Sequence, residues 1–302
     1  MALVRCVART AVRSSHSVPA VRSLCSLSPK PVLTETKENV FYISINRPER
    51  RNCVNRETAD LLLDAFEEFD RRDDVAVAIL SGVGGNFCAG YDLSELSVAG
   101  NVEELIRPAP MGPTHMVTQK PVIAAVDGYA VAGGLELALL CDLRVVEENA
   151  VLGVFCRRFG VPLIDGGTVR LPAIVGLGRA LDMILTGRAV SGKEAHEMGL
   201  ANQVVAVGSA MGIATTLAQC IAKFPPKCVK SDRSSTYNSV FCATSLRDAL
   251  RFEYENGKAV VQEEGVAGAE MFVKGMGRHG KSNLRAWNDG QKRDEPESSL
   301  LS

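Results

Sequence analysis

The feature that most constrains the fold is a glycine pair between a strand pattern and an apolar helix pattern. Residues 121–126 form a short apolar run that predicts a buried strand. Gly133 and Gly134 then expose the backbone where the sequence predicts the start of a helix over 134–140, and Glu136 interrupts its apolar run. Unpaired N–H groups at a helix start can hold an oxyanion, and a carboxylate one turn away can move a proton on the same substrate.

A second glycine-rich loop, 82–90, follows another predicted strand over 76–80. Two strand–loop–helix units of this kind can each present a backbone N–H to one carbonyl oxygen. On residue types alone, a glycine turn before a buried helix with a locally hydrogen-bonded Glu136 remains an equal alternative. Strand and helix patterns alternate along the chain, which predicts an α/β core with much parallel pairing.

Other elements follow from apolar periodicity and capping signals. We predict a strand at 40–45 and another at 143–146, and helices at 58–69, 177–185, 209–223 and 245–263. Residues 191–194 form a capping box that starts a helix. Pro225-Pro226 is expected to stop the helix predicted at 209–223. Residues 94–118 are weakly patterned, which suits either a lid over a pocket or an irregular connection.

Residues 1–30 differ from the rest of the chain because they are basic and serine-rich and contain no acidic residue. Arginines interleaved with apolar residues predict a mitochondrial transit peptide, which would end near 25–35. From the transit-peptide interpretation we expect a location in the mitochondrial matrix. A disordered basic arm is the alternative interpretation of residues 1–30.

Composition excludes several classes of function. The net charge of −1 gives no electrostatic reason to expect nucleic-acid binding, and no apolar run is long enough to span a bilayer. The nine cysteines show no metal-ligand spacing and are interpreted as reduced thiols, so no metal is expected. The serine-hydrolase elbow and the glycine motifs for dinucleotides and ATP are absent, so we expect no cofactor.

Two separated segments carry a resemblance to a known family. Residues 87–92 read FCAGYD and residues 121–138 read PVIAAVDGYAVAGGLELA. In this order they resemble the crotonase (enoyl-CoA hydratase/isomerase) superfamily. Shorter matching segments are 46–48 with Asn52, 165–168, 170–172, 185–187 and 195–202, so the resemblance covers roughly residues 31–280.

The resemblance implies an α/β fold, a crotonase-like spiral of ββα units with a C-terminal helical region. Together with the basic composition of residues 1–30 and the polar composition of residues 281–302, it divides the chain into a presequence at 1–30, a spiral core with an acyl-CoA site at 31–205, a helical region at 206–280 and a polar tail at 281–302. It also implies a homotrimer or a homohexamer.

The resemblance further implies roles for single residues. The backbone N–H groups of Tyr91 and Gly133 would form an oxyanion hole, and Glu136 matches the first catalytic glutamate of the hydratases. Cys156 stands where their second catalytic glutamate is expected. Asp165 is the nearest replacement carboxylate, and an ordinary helix cap is its alternative role.

The substrate implied by the family is an acyl-CoA thioester, with coenzyme A entering as part of the substrate. Its implied contacts are Arg51, Cys53, Ala89, Tyr91, Asp92, Leu93, Ser94 and Gly134. Arg157 and Arg158 either bind a carboxylated acyl group or a CoA phosphate, or form a surface or intersubunit pair.

Three functions remain compatible with these residues. The first is an enoyl-CoA hydratase that adds water across the 2,3 double bond through an oxyanion-stabilised enolate. The second is an enoyl-CoA isomerase, for which a single carboxylate suffices. The third is a non-catalytic acyl-CoA-binding member of the fold, which the cysteine at position 156 keeps open.

Overall fold

The computed structural model describes residues 30–98, 100, 103 and 109–275. The predicted transit peptide, apart from Lys30, and the predicted polar tail lie outside the described residues. So does part of the predicted lid or irregular connection, at 99, 101–102 and 104–108.

The strands form two sheets. Their bounds are β1 Val32–Lys37, β2 Val40–Ile45, β3 Val77–Gly82, β4 Val122–Val126, β5 Tyr129–Val131, β6 Leu143–Glu147, β7 Val151–Gly153, β8 Val190–Ser191 and β9 Gln203–Val205. The larger sheet has the order β1-β2-β3-β4-β6-β9, and its pairs are parallel except for β1 with β2. The smaller sheet has the order β5-β7-β8. The predicted parallel α/β core is confirmed.

The helices connect and cover these strands. Their bounds are α1 Arg56–Arg71, α2 Leu93–Ser97, α3 Gly133–Leu140, α4 Gly167–Val175, α5 Leu177–Thr186, α6 Gly192–Glu197, α7 Ala210–Ile221, α8 Pro226–Phe241, α9 Leu246–Val260 and α10 Val266–Val273. A π-helical turn, Val261–Gly265, joins α9 to α10, and 3₁₀ turns lie at Pro48–Arg50, Pro113–His115 and Phe155–Phe159.

Helix α1 shows why these residues form these elements. The side chain of Asn55 accepts a hydrogen bond from Thr58 N at 3.0 Å, which caps the helix before its apolar stripe begins. Leu62, Phe66 and Phe69 on that stripe are fully buried. Burial of each such side chain contributes about 1.5–3 kcal/mol to folding.

The larger sheet has an apolar core on each face. Along β3, Ala78 and Leu80 belong to the core shared with α1 and α3, and Val77 and Ile79 belong to the opposite core. This division follows from the two-residue side-chain period of a strand. Helix α7 packs on the second core with its alanines, so it shares a core with the sheet although it follows residue 205. The predicted domain boundaries stay a prediction.

Two local expectations have different outcomes. Ser191 Oγ accepts from Glu194 N at 3.2 Å, which confirms the serine cap of α6, but the Glu194 carboxylate pairs with Arg188 at 2.7 Å and the reciprocal bond of a capping box is not formed among the described residues. Pro225 and Pro226 do follow α7, but Pro226 also begins α8, a helix that the periodicity did not predict. Proline suits this place because the first N–H of a helix needs no intrahelical partner. None of the helices in the described ranges is long and apolar enough to cross a membrane.

Candidate active site

The two glycine-rich loops of the sequence meet in space. Cys88 N donates to Tyr129 O at 2.8 Å, and Val131 N donates to Cys88 O at 3.1 Å. At Gly90, whose φ is +99°, a Cβ would lie 3.1 Å from the backbone nitrogen of Gly133. The first loop therefore lies directly against the start of α3.

The backbone N–H groups of Tyr91 and Gly133 are left free by this arrangement. Val54 N donates to Gly90 O at 2.9 Å and Asp92 N donates to Val54 O at 2.8 Å, so the N–H of Tyr91 points away from this bridge. Gly133 is the first residue of α3 and has no intrahelical partner for its N–H. Neither amide donates a hydrogen bond within the part of the chain that the structure describes.

Ala132, between β5 and α3, has a strained backbone. Its φ of 54° and ψ of −127° are unusual for a residue with a Cβ, and such strain costs of order 1–3 kcal/mol. The hydrogen bond from Ala132 N to Gly153 O, 2.9 Å long, holds the strained residue to β7. This turn carries the chain from the second sheet into α3 and places Gly133 N beside the first loop.

Glu136 is buried one turn into α3. Its Oε1 accepts from Asp165 N at 2.9 Å and from Gly167 N at 2.8 Å. Glycine is needed at 167 because a Cβ there would lie 2.9 Å from that oxygen. Oε2 makes no hydrogen bond within the described ranges. Burial raises the pKa of Glu136 to about 7, against the two N–H donors, which favour the ionised form.

Asp165 lies beside Glu136 and ties two segments together. Its Oδ1 accepts from Met111 N at 3.0 Å and from the hydroxyl of Thr114. Burial raises the pKa of this carboxyl group. The alternative role as a helix cap is wrong: the N-cap of α4 is Gly166, and the side chain of Asp165 accepts from Met111 and Thr114 instead of from the start of that helix. The reason is that Asp165 Oδ1 is turned toward residues 111–114.

A pocket of about 120 Å³ lies between these groups. Its polar lining includes Glu136 and Asp165, and most of the rest is apolar, with Leu96, Met111, Phe155, Phe159, Val161, Pro162 and Ile164 among the lining residues. Cys156 also lines it, and burial raises the pKa of this thiol, which disfavours the nucleophilic thiolate.

Arg157 and Arg158 do not line the pocket. Arg157 donates to Ile184 O at 3.2 Å, and Arg158 donates to Gly187 O at 2.7 Å through Nη2. Both guanidinium groups therefore satisfy carbonyl groups at the C-terminal end of α5, which is a favourable place for cations.

The structure brings some of the predicted substrate contacts together and separates others. Ala89, Tyr91 and Leu93 line the pocket with Gly133 and Glu136. The remaining predicted contacts are not among its lining residues, and they are Arg51, Cys53, Asp92, Ser94 and Gly134.

These remaining residues have local partners. Arg51 lies over the ring of Tyr129 at 5.1 Å, and Cys53 O accepts from Arg47. Asp92 accepts from Ser94 and pairs with Arg47 at 2.9 Å. At Gly134 a Cβ would lie 2.0 Å from Cys88 O, so this glycine is required for packing. Their contacts with CoA stay predictions.

Sequence reasoning missed Met111 and Gly167. Met111 donates its N–H to Asp165, and its side chain fills the space where a Cβ of Gly133 would lie, 2.6 Å from Sδ. Residues 94–118 gave no periodic signal, and the contact joins residues 54 positions apart. Gly167 had only its place in a Gly-Gly pair as a signal.

Across the described residues, no group of three or more His, Cys, Asp or Glu side chains is arranged to hold a metal ion.

The comparisons with known proteins agree with this geometry. A family model described as "Enoyl-CoA hydratase/isomerase" matches residues 35–278. An enoyl-CoA hydratase structure, EchA1 from Mycobacterium marinum, aligns with a TM-score of 0.76 and 32% identity, covering 82% of this chain and 96% of that chain. The predicted crotonase-like α/β fold with C-terminal helices is confirmed.

Two curated relatives extend the comparison. The mevalonyl-coenzyme A hydratase sidH of Aspergillus fumigatus is 32% identical over 72% of this chain and 79% of its own length. The human mitochondrial enoyl-CoA hydratase domain-containing protein 2 is 40% identical over 56% of this chain and 59% of its own length. From the family match and these likenesses, we conclude that the chain belongs to the enoyl-CoA hydratase/isomerase family of the crotonase superfamily.

Proposed function

We propose that this protein is an enoyl-CoA hydratase, and that Tyr91 N–H and Gly133 N–H bind the thioester carbonyl oxygen. The observation that carries the proposal is that, among the described residues, one oxygen of the buried Glu136 and two backbone amides beside the pocket have no hydrogen-bond partner. Relatives named enoyl-CoA hydratase support the same reaction class. No cofactor is needed, because coenzyme A enters with the substrate.

The proposed mechanism follows from where charge develops. The ionised Glu136 accepts a proton from water, and the water oxygen forms a bond to Cβ of the enoyl group. The electron pair of the double bond moves onto the thioester oxygen as an enolate, which the two amides stabilise. Loss of one such donor typically costs about 3–4 kcal/mol of transition-state stabilisation. The carboxyl group of Asp165 then donates a proton to Cα, and the proton that Glu136 took from water is returned to Asp165, so the product has gained one water and both carboxyl groups are restored.

Asp165 is proposed as the second acid–base group because it adjoins Glu136. Asp165→Asn is expected to lower kcat by about 10²-fold or more while the protein stays folded, because the amide cannot exchange the proton. Single-turnover kinetics with crotonyl-CoA and a thermal melt measure the two effects. Thr114→Val is the control, since it removes one contact to Oδ1 and keeps the carboxylate. Activity that survives Asp165→Asn would remove Asp165 from the mechanism.

The pH profile tests the proposed role of Glu136. Its folded pKa of about 7 means that the ionised base is lost as the pH falls through this value. We expect kcat/KM for hydration to be constant above about pH 8 and to fall tenfold per unit below about pH 6. The profile of kcat/KM is measured with crotonyl-CoA from pH 5 to above pH 8. A flat profile down to pH 5 would contradict Glu136 as the base.

Enoyl-CoA isomerisation is the second candidate function, and the thiol at position 156 favours it. Without the second glutamate of the hydratases, one carboxylate would carry a proton between two carbons of the acyl chain. Crotonyl-CoA and 3-enoyl-CoA thioesters distinguish the two reactions by product mass. Gain of one water supports hydration, and a product of unchanged mass supports isomerisation. Binding without turnover supports a non-catalytic acyl-CoA-binding protein.

We also propose a mitochondrial matrix location and a homotrimer or homohexamer. Basic residues at 1–30 and the likeness to proteins named as mitochondrial in human and mouse support the location. Import into isolated mitochondria tests the location, and light scattering after size-exclusion chromatography tests the assembly.

A further inference from the structure

The side chain of Tyr91 belongs to the wall of the acyl pocket and has a fixed partner. Its hydroxyl donates to Glu95 Oε2 at 2.6 Å, within the short helix α2. Burial raises the pKa of Tyr91, so the hydroxyl stays a hydrogen-bond donor at any physiological pH. The ring is therefore held in one direction rather than free to swing out of the pocket.

Glu95 connects this wall to a rigid helix. The same Oε2 accepts from Arg56 N at 3.0 Å, and Arg56 is the first residue of α1. An N–H group in the first turn has no intrahelical partner, and a carboxylate is favoured at that end of a helix. Because α1 is anchored by fully buried side chains, the hydrogen bond to Glu95 fixes Tyr91 to the core of the protein.

The start of α2 is also fixed. Asp92 accepts from Ser94 N at 3.2 Å and pairs with Arg47 at 2.9 Å, and little of either charged side chain is exposed. Leu93 and Leu96 of this helix line the same pocket. The pocket wall that includes Tyr91 is thus held at the N-cap and at the middle of α2.

The pocket is small, and its described lining residues include no cation. A cavity of about 150 Å³ holds one benzene ring, and this pocket measures about 120 Å³. Neither lysine nor arginine is among its described lining residues, while Glu136 and Asp165 are carboxyl groups. Like charges placed together disfavour binding, so an acyl group that carries its own carboxylate is a poor fit.

We propose that Tyr91, positioned by Glu95, limits the pocket to short, uncharged acyl groups. The proposal rests on the hydratase function proposed above and adds its substrate class. Tyr91 acts through its side chain here, separately from its backbone N–H, and Glu95 is a positioning residue that contacts no substrate. Removing the ring should therefore change which chain length is accepted, while the backbone amide stays in place.

The test compares kcat/KM for straight-chain 2-enoyl-CoA thioesters, from crotonyl-CoA to 2-decenoyl-CoA. For the unaltered protein we expect a fall of at least about tenfold along the series, since each methylene that a pocket rejects costs about 10-fold or more. Tyr91→Ala is expected to raise the ratio of decenoyl to crotonyl activity by at least about tenfold. Tyr91→Phe keeps the ring but loses the hydroxyl that donates to Glu95, so it is expected to shift the ratio in the same direction by a smaller factor than Tyr91→Ala. An unchanged ratio in Tyr91→Ala would overturn the proposal.

The role of Glu95 is tested by loss and rescue. Glu95→Ala frees the tyrosine hydroxyl and is expected to shift the chain-length ratio in the same direction as Tyr91→Ala, mainly through KM. Glu95→Gln keeps an oxygen that accepts from both donors and is expected to restore the original ratio. Asn55→Ala is the matched control, because it removes the other cap of α1 without touching Tyr91. It should lower the melting temperature and leave the ratio unchanged. An equal shift in Asn55→Ala would show that general loosening, not positioning, causes the effect.

Equilibrium binding separates failure of this inference from failure of the proposed function. Saturated thioesters from butyryl-CoA to decanoyl-CoA are titrated calorimetrically into the same variants. If the unaltered protein discriminates in binding but adds no water to any enoyl thioester, the hydratase proposal fails and the size limit stands. If it hydrates long and short substrates equally, the size limit fails and the hydratase proposal stands. A 2-enoyl thioester with a terminal carboxylate should bind more weakly than its uncharged analogue. Equal binding would contradict the proposed exclusion of charged acyl groups.

Discussion

Glu136→Gln is expected to reduce hydration by about 10³-fold and at the same time to stabilise the folded protein at pH 8. The amide cannot accept a proton from water, and loss of a general base typically costs about 10²–10⁴-fold in rate. Its carbonyl oxygen still accepts from Asp165 N and Gly167 N, so the local structure is kept.

The stabilisation follows from the raised pKa of Glu136. The unfolded state ionises near 4.5 and the folded state near 7, so the folded protein binds the extra proton between these values. The contribution of Glu136 to the stability of the wild-type protein therefore falls as the pH rises from about 4.5 to 7, by about 3 kcal/mol in total. Glutamine carries no charge to bury, so the variant should gain about 2–3 kcal/mol at pH 8 and almost nothing at pH 4. Urea unfolding at both pH values measures the difference.

Glu147→Gln is the matched control for this experiment. Glu147 is also a buried carboxylate, but its Oε1 accepts from Gly208 N at 2.7 Å near the start of α7, and it does not line the pocket. This variant should retain hydration and should not become more stable. A gain for Glu136→Gln that is equal at pH 4 and pH 8 would contradict burial of charge as its cause.

Gly134→Ala is expected to have the second large effect, on both folding and activity. An added Cβ would lie 2.0 Å from Cys88 O and 2.7 Å from Cys88 C, and both are backbone atoms that cannot rotate away. The first glycine loop must then move away from α3, which separates Tyr91 N from Gly133 N. We expect a loss of about 3 kcal/mol or more in unfolding free energy and about 10²-fold or more in kcat/KM.

Gly212→Ala provides the control for Gly134→Ala. It lies within α7, and an added Cβ there would meet nothing within 4 Å. The same substitution should stabilise the protein by about 0.4–1 kcal/mol, because alanine has fewer unfolded conformations, and should leave kcat/KM unchanged. Urea unfolding and crotonyl-CoA kinetics are measured on both variants. If Gly134→Ala behaves like Gly212→Ala, the close contact between the loop and α3 does not hold the site together.

The contrast between Glu136 and Asp165 shows how far sequence reasoning reaches into the site. Glu136 stands out because it is a charged residue within an apolar helix pattern, and such a pattern can be recognised from the sequence without a structure. Asp165 had two equal interpretations, since an aspartate before glycines suits a cap or an acid. Its contacts with Met111 and Thr114 join segments more than fifty residues apart, and they exclude the cap.

Local periodicity and turn chemistry therefore predicted much of the fold and part of the candidate site from the sequence alone. They sufficed for the parallel α/β core, the helix start at Gly133 and the buried carboxylate, because each depends on neighbours within a few residues. Only the folded chain decided that the two glycine loops touch, that Asp165 holds residues 111–114, and that Arg157 and Arg158 face away from the pocket. The physical reason is that these contacts join residues far apart in the chain, whose distances are set by how sheets and helices pack and not by the spacing of residue types.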